Sequence, residues 1–128
     1  MAVTHGHGNP KWAREEVILA LELYQACNGQ IPTDDDPRVV ALSNELRGLP
    51  LHPGSRRKPS FRNPAGVAFK LQNIRQVATG RGLSNVASMD RVVWSELGTN
   101  PDRVRALAVA IRASVRRRKR ERISAQRI

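Results

Sequence analysis

The sequence predicts an all-α fold: a single compact helical domain of about five helices, with a long basic loop before the third helix. In several segments the apolar residues recur with a period near 3.6, and no segment shows the apolar–polar alternation of a half-buried strand. The dipeptide Asn-Pro occurs three times and Asp-Pro once, each directly before such a periodic segment. Asn and Asp are good N-caps and proline is favoured in the first turn, so each dipeptide predicts a helix start.

The predicted helices follow these starts in chain order. The first is expected over residues 10–26 and the second over residues 37–47. The third begins at Pro64 and ends at the segment "TGRGLSN". The fourth lies near residues 89–97, and the fifth begins at Pro101 and fades into the basic run "RRRKRER".

Each periodic stripe predicts which side chains face the core. In helix order, the stripes contain Arg14, Val17, Ile18, Leu21 and Tyr24; Val40, Leu42 and Leu46; Val67, Leu71, Ile74 and Ala78; Val93, Trp94 and Leu97; and Val104, Leu107, Ala108, Ile111 and Val115. The single cysteine, Cys27, continues the first apolar pattern and is expected to be a buried thiol. One cysteine excludes an internal disulfide and a Cys-based zinc site.

Length and composition point to one domain with a modest core, since the chain has 128 residues of which 40% are apolar. No apolar stretch approaches the ~20 residues that span a bilayer, and the N-terminus has no apolar signal core. We therefore expect a cytoplasmic protein without a membrane partner or a small-molecule substrate, acting as a monomeric module or weak dimer. Its expected organisation is a flexible tail over residues 1–9, a helical domain over 10–115, and a basic segment over 116–128. That last segment is either a linker to a missing catalytic domain or a non-specific DNA tail.

The positive charge is concentrated in one part of the chain. The net charge is +11, and residues 46–89 contain eight Lys or Arg and no Asp or Glu. A segment with this concentration of positive charge favours a polyanionic binding partner. The plainer interpretation is a solvated, highly charged surface loop.

The basic loop runs directly into the third helix in the stretch "GSRRKPSFRNPAGVAFK", residues 54–70. A helix N-terminus attracts anions, and the small residues Ala65 and Gly66 allow a bulky group to approach the backbone. Pro64 has no N–H to offer an ordinary phosphate oxygen. The turn therefore suits an anion that is polarisable and poorly hydrated, although an ordinary helix cap is the simpler interpretation.

The sequence gives weaker evidence for other binding or catalytic sites. Arg14 lies at the edge of its apolar stripe, where it either pairs with a carboxylate or faces an anion. His5 and His7 lack nearby acidic residues, so we expect no metal site and no cofactor. No Ser/His/Asp or Cys/His set, P-loop or nuclease-type metal motif is present, which argues against an enzyme.

Four segments resemble a known family: "KWAREEVILALELY", "SFRNPAGVAFKLQNIR", "GRGLSNVASMDRVVWSEL" and the final helix. Over roughly residues 10–115 the chain is similar to the sulfur-binding domain of McrA-like type IV restriction enzymes. There a helical domain precedes an HNH nuclease domain and recognises phosphorothioate-modified DNA, in which sulfur replaces a non-bridging phosphate oxygen. The sulfur lodges in a shallow apolar pocket ringed by positive charge. No HNH signature follows residue 115, so the resemblance implies recognition of double-stranded DNA without catalysis by this chain.

The resemblance implies two sets of site residues. The expected sulfur pocket contains Arg14, Asn63, Pro64, Ala65, Gly66 and Val67. The expected contacts to the DNA backbone and bases are Arg56, Arg57, Lys58, Ser60, Arg62, Lys70, Arg75 and Arg81. Two alternatives stay open: a helical domain that binds DNA or RNA without regard to modification, and an adaptor that uses its apolar patch for an acidic protein partner.

Overall fold

The computed structural model describes residues 9–81 and 86–126, and within them the chain forms five α-helices. These are α1 (Arg14–Ala26), α2 (Pro37–Arg47), α3 (Pro64–Thr79), α4 (Ser88–Leu97) and α5 (Pro101–Gln126), with a short 3-10 turn at Pro53–Ser55 between α2 and α3. The described residues contain no strand. The all-α prediction and the long loop before the third helix are therefore confirmed.

Three of the four predicted helix starts are confirmed by their capping bonds. The side chain of Asp36 accepts from the N–H of Arg38 at 2.8 Å, and that of Asn63 accepts from the N–H of Gly66 at 2.8 Å. Asn100 caps α5 in the same way. These bonds satisfy N–H groups that have no partner within the helix.

The predicted start of the first helix at Pro10 is wrong, because α1 begins at Arg14 and residues 9–13 are not helical. The N-cap residue of α1 is Ala13, and the carboxylate of Glu16, in the first turn, accepts a hydrogen bond from its N–H at 2.8 Å. The carbonyl groups of Pro10 and Lys11 accept hydrogen bonds from Arg62, on a distant part of the chain. Tertiary contacts therefore hold residues 9–13 in a non-helical segment that precedes the helix.

Helix α1 is the centre of the domain and contacts each of the other four helices. Helix α3 packs on α1, α2 and α4, whereas α5 packs on α1 and α4 without contacting α3. The predicted stripes supply most of the core, and Cys27 is buried as expected. In α2, Leu42 and Leu46 are buried as predicted, but the prediction for Val40 was wrong, because Val39 is buried in its place and Val40 is exposed.

Helix α5 does not end where the sequence suggested that it fades. It continues without a break through the basic run to Gln126. Nowhere in residues 9–81 and 86–126 is there a helix with the length and apolar character to cross a membrane.

Candidate nucleic-acid interface

A buried ion cluster fixes the basic loop to α1. The carboxylate of Glu16, which is fully buried, accepts from Arg62 Nε at 2.7 Å and from Arg62 Nη2 at 3.0 Å. Its Oε1 also lies 2.9 Å from Nε2 of His52, at the other end of the loop. One carboxylate thus holds both the start and the end of the loop against the first turn of α1.

The partners of the Glu16 carboxylate favour its ionised form. Burial by itself raises the pKa of the Glu16 carboxyl, but the hydrogen bonds from Arg62, Ala13 and His52 and the charge of Arg62 together outweigh burial. The net effect lowers the pKa of Glu16 below its ordinary value. A buried ionised group needs its partners, so the cluster is sensitive to the loss of any of them.

Arg62 holds an unusual backbone conformation directly before the helix. Its φ is +46°, in the left-handed region that costs a side-chain-bearing residue roughly 1–2 kcal/mol. The hydroxyl of Ser43 donates to the Arg62 carbonyl at 2.6 Å, and the Arg62 guanidinium donates to the carbonyls of Pro10 and Lys11. These contacts hold the turn that places Asn63 at the N-cap of α3.

Arg47 at the end of α2 shapes the rest of the loop. Its guanidinium donates to the carbonyls of Arg56 at 2.9 Å and Lys58 at 3.1 Å, and also to that of Phe61. In return, Nε of Arg56 donates to the Arg47 carbonyl at 3.1 Å. The loop is therefore an ordered structure, although it is rich in proline, glycine and arginine.

A second buried ion pair links α3 to α4. Lys70 Nζ lies 3.0 Å from both carboxylate oxygens of Asp90. The ring of Trp12 packs against both buried cations, with the Arg62 guanidinium 4.8 Å and the Lys70 ammonium 5.1 Å from its centroid. Cation–π contacts of this length fix the indole where residues 9–13 meet α3.

Three predicted site residues are thereby corrected. Arg62 and Lys70 were predicted as cations that contact DNA, but they are 5% and 6% exposed and both are engaged in internal ion pairs, so neither is a free surface cation. Val67 is fully buried and belongs to the hydrophobic core, so the prediction that it lines a surface pocket is wrong. A valine on the core stripe of α3 cannot also face a ligand.

A surface groove remains beside the first turn of α3. It has a volume of about 680 Å³, and residues 9–12 form one side of it. The other residues that line it are Ser60, Arg62, Asn63, Ala65, Gly66, Phe69, Lys70 and Asn73. None of the lining residues is Asp or Glu, but the lining cations Arg62 and Lys70 are paired with buried carboxylates. Lys11 is the exposed cation of the lining, and the exposed Ala65 and Phe69 give the groove a partly apolar wall.

The groove includes residues that the sequence analysis missed. Lys11 and Trp12 were placed inside a helix that begins only at Arg14. Phe69 was overlooked altogether, yet it is 51% exposed. A signal for it existed, because Phe69 falls between the stripe positions Val67 and Leu71 and a helix that buries both must turn Phe69 outward.

Arg14 is not among the residues that line this groove. Its Nη1 lies 2.7 Å from Oε1 of Glu96, which is the carboxylate pairing that the sequence left open. It lines a separate groove of about 320 Å³ with Leu51 of the loop after α2 and with residues of α1 and α5, among them Ile111. The structure therefore places Arg14 in a different groove from the first turn of α3, with which it was predicted to form the pocket.

The remaining predicted DNA contacts differ in accessibility. Arg57, Lys58, Ser60, Arg75 and Arg81 are exposed, and Ser60 lines the groove. Arg56 is only half-exposed, because its side chain bonds to the end of α2.

No group of three or more metal-ligating side chains occurs among the residues that the structure describes, and His5 and His7 lie outside them. Comparison with known proteins finds no matching family model, no matching curated protein and no matching solved structure.

Proposed function

We propose that this chain is a double-stranded DNA-binding module that recognises a phosphorothioate linkage, with the sulfur seated on the first turn of α3. The proposal starts from the resemblance to sulfur-binding domains. The structural observation that supports it most is the chemistry of this turn, which shares its groove with the exposed cation Lys11 but has few free donors. Gly66 N–H is bonded to the Asn63 side chain and Val67 N–H to the Asn63 carbonyl, and Pro64 has no N–H.

A donor-poor turn favours sulfur over oxygen. A phosphate oxygen that leaves water needs new hydrogen bonds, whereas sulfur is larger, softer and less hydrated. Exposed Ala65 and Phe69, with Pro64, offer it apolar contact. About ten atom pairs at ~0.1–0.2 kcal/mol each amount to roughly 1–2 kcal/mol, or about tenfold in affinity.

Phe69 takes the place that the sequence analysis gave to Val67. It lies one helical turn beyond Ala65 on the same face of α3, so both border the same groove. Lys11, which is exposed and lines the same groove, supplies a cation for the anionic linkage. We assign no catalytic step, cofactor or metal ion to this module.

The location of the site can be tested by NMR titration. The backbone amide resonances of Ala65 and Gly66 should shift on addition of a duplex with one phosphorothioate, and shift less with the same duplex without sulfur. The resonance of Val109, which is exposed on α5, serves as a reference for non-specific effects. Equal shifts at the α3 turn with both duplexes would contradict the proposal.

The second candidate is a DNA-binding domain without modification preference, and the exposed cations of the loop favour it. Under either function, replacing Arg57 and Lys58 with glutamine should weaken binding to every duplex. The plot of log K against log salt concentration should flatten by up to about 0.9 for each phosphate that the variant no longer neutralises. The ratio of affinities for modified and unmodified duplex should not change, because both carry the same charge.

The matched control replaces two exposed arginines on other parts of the surface, Arg38→Gln with Arg105→Gln. Each of these pairs with a nearby acid, Asp36 and Asp102 respectively. The control should leave the salt slope near its original value. If the loop variant instead loses affinity for only some sequences, Arg57 and Lys58 read bases and do not simply bind the backbone.

A further inference from the structure

We infer that the exposed end of α5, residues 116–125 and here named the basic arm, is a second nucleic-acid-binding surface that binds duplex phosphates without regard to sulfur. The arm contains one acidic residue, Glu121, and six cations. All ten of its residues are exposed, and all belong to one continuous helix with the preceding part of α5. The cations are Arg116, Arg117, Arg118, Lys119, Arg120 and Arg122.

The arm begins where the anchoring of α5 ends. The Arg112 guanidinium is bonded to Glu45 at 2.6 and 3.1 Å and to Glu22 at 2.9 Å, which ties α5 to both α2 and α1. The hydrogen bond with Glu45 is the largest cause that raises the pKa of Arg112 above its ordinary value. Val115, one turn later, still packs against the core. From Arg116 to Ala125 the helix presents its side chains to solvent.

The arrangement of charge fits a concave polyanion. Successive residues of a helix are about 100° apart, so the five adjacent cations 116–120 face all sides of the arm. The pairs Arg116–Arg120 and Arg118–Arg122 are four residues apart, where like charges repel. Phosphates on both walls of a duplex groove would neutralise them, and the major groove of B-form DNA is wide enough to admit a helix. Ten residues extend the helix by about 15 Å.

A membrane surface fits the arm less well. Helices that lie on membranes need an apolar face opposite the charged one. The only large apolar side chain within residues 116–125 is Ile123, which is 51% exposed. The arm is also rich in arginine, which pairs with phosphate through two parallel hydrogen bonds.

The arm is separate from the groove beside α3. Helices α3 and α5 do not contact each other, although both pack on α1. Loss of the arm should therefore leave the discrimination between sulfur and oxygen unchanged. The inference does not depend on sulfur recognition and can fail or succeed without it.

The test neutralises the arm and measures salt dependence on an unmodified duplex. Arg116, Arg117, Lys119, Arg120 and Arg122 are replaced with glutamine, which keeps helix propensity. We expect the slope of log K against log salt to fall in magnitude by about 2–4, since each phosphate that is no longer neutralised removes ~0.9. Circular dichroism of the variant should still show the helical fold.

The matched control is Arg103→Gln with Arg105→Gln, two exposed cations in the first turns of the same helix. Its slope should stay close to that of the original protein. An arm variant with an unchanged slope on DNA would overturn the inference. If that variant also no longer binds vesicles of anionic phospholipid, the arm is a membrane-binding element.

Discussion

Replacing Arg62 with alanine should lower the free energy of unfolding by about 3–5 kcal/mol, the cost of leaving a buried charge without its partner. Glu16 is fully buried, and Arg62 provides two of its four hydrogen bonds. The variant also lacks the hydrogen bonds that hold residues 9–13 beside the groove. Arg62→Lys should recover only part of the stability, because lysine lacks the planar fork.

Urea denaturation measures this effect, and two variants control it. Arg75→Ala removes an exposed cation from α3 and should change the free energy of unfolding by no more than about 0.5 kcal/mol. Adding Glu16→Gln to Arg62→Ala should recover part of the stability, because the remaining buried group is then neutral. If Arg62→Ala keeps full stability but loses DNA affinity, Arg62 binds DNA and its structural role is wrong.

The ion cluster around Glu16 also makes the stability of the fold depend on pH. The pKa of Glu16 is lower in the folded protein than its ordinary value of 4.5. The stability that this difference contributes is fully present above pH 4.5 and is lost as the pH falls through the folded value. Glu16→Gln should therefore lose less stability than the original protein between about pH 5 and pH 3, as followed by urea denaturation across that range.

Ala65→Asp should abolish the preference for phosphorothioate DNA while the helical fold is kept. An acidic residue in the first turn of a helix is favourable to the helix itself, but at the exposed Ala65 it would repel the anionic linkage. We expect affinity for the modified duplex to fall by about tenfold or more. The ratio of affinities for modified and unmodified duplex should approach one.

Phe69→Ala tests the apolar wall without adding charge. It should reduce the affinity ratio and change affinity for unmodified DNA much less. The matched control is Val92→Ala on α4, since Val92 is 46% exposed and Phe69 is 51% exposed. If both Ala65→Asp and Phe69→Ala keep the original ratio, the first turn of α3 is not the sulfur site. Val67→Asp cannot answer this question, because it would bury a charge in the core.

Local signals in the sequence predicted three of the four helix starts correctly. Asp36, Asn63 and Asn100 each cap a helix through a bond to a residue two or three positions away, and such short-range bonds can be inferred from residue order. The start of α1 could not be inferred in this way. It depends on Glu16 and on Arg62, which are 46 residues apart in the chain.

The candidate site was predicted less well for a related physical reason. A count of cations does not distinguish Lys70, paired inside the protein with Asp90, from Arg57, which faces solvent. Val67 was predicted both as a core residue of α3 and as a residue of the sulfur pocket. The structure places it in the hydrophobic core. The same stripe predicts that Phe69 is exposed, because it lies on the face of α3 opposite the buried Val67 and Leu71.

Sulfur recognition is tested most directly by one competition measurement. Duplexes of identical sequence that carry no sulfur, or one phosphorothioate of either stereochemistry, compete for the original protein at several salt concentrations. We expect one stereoisomer to bind about tenfold more tightly than the unmodified duplex. That ratio should not vary with salt, because the competing linkages carry the same charge and release the same counterions. Equal affinity for all three duplexes would contradict sulfur recognition and leave a DNA-binding domain without modification preference.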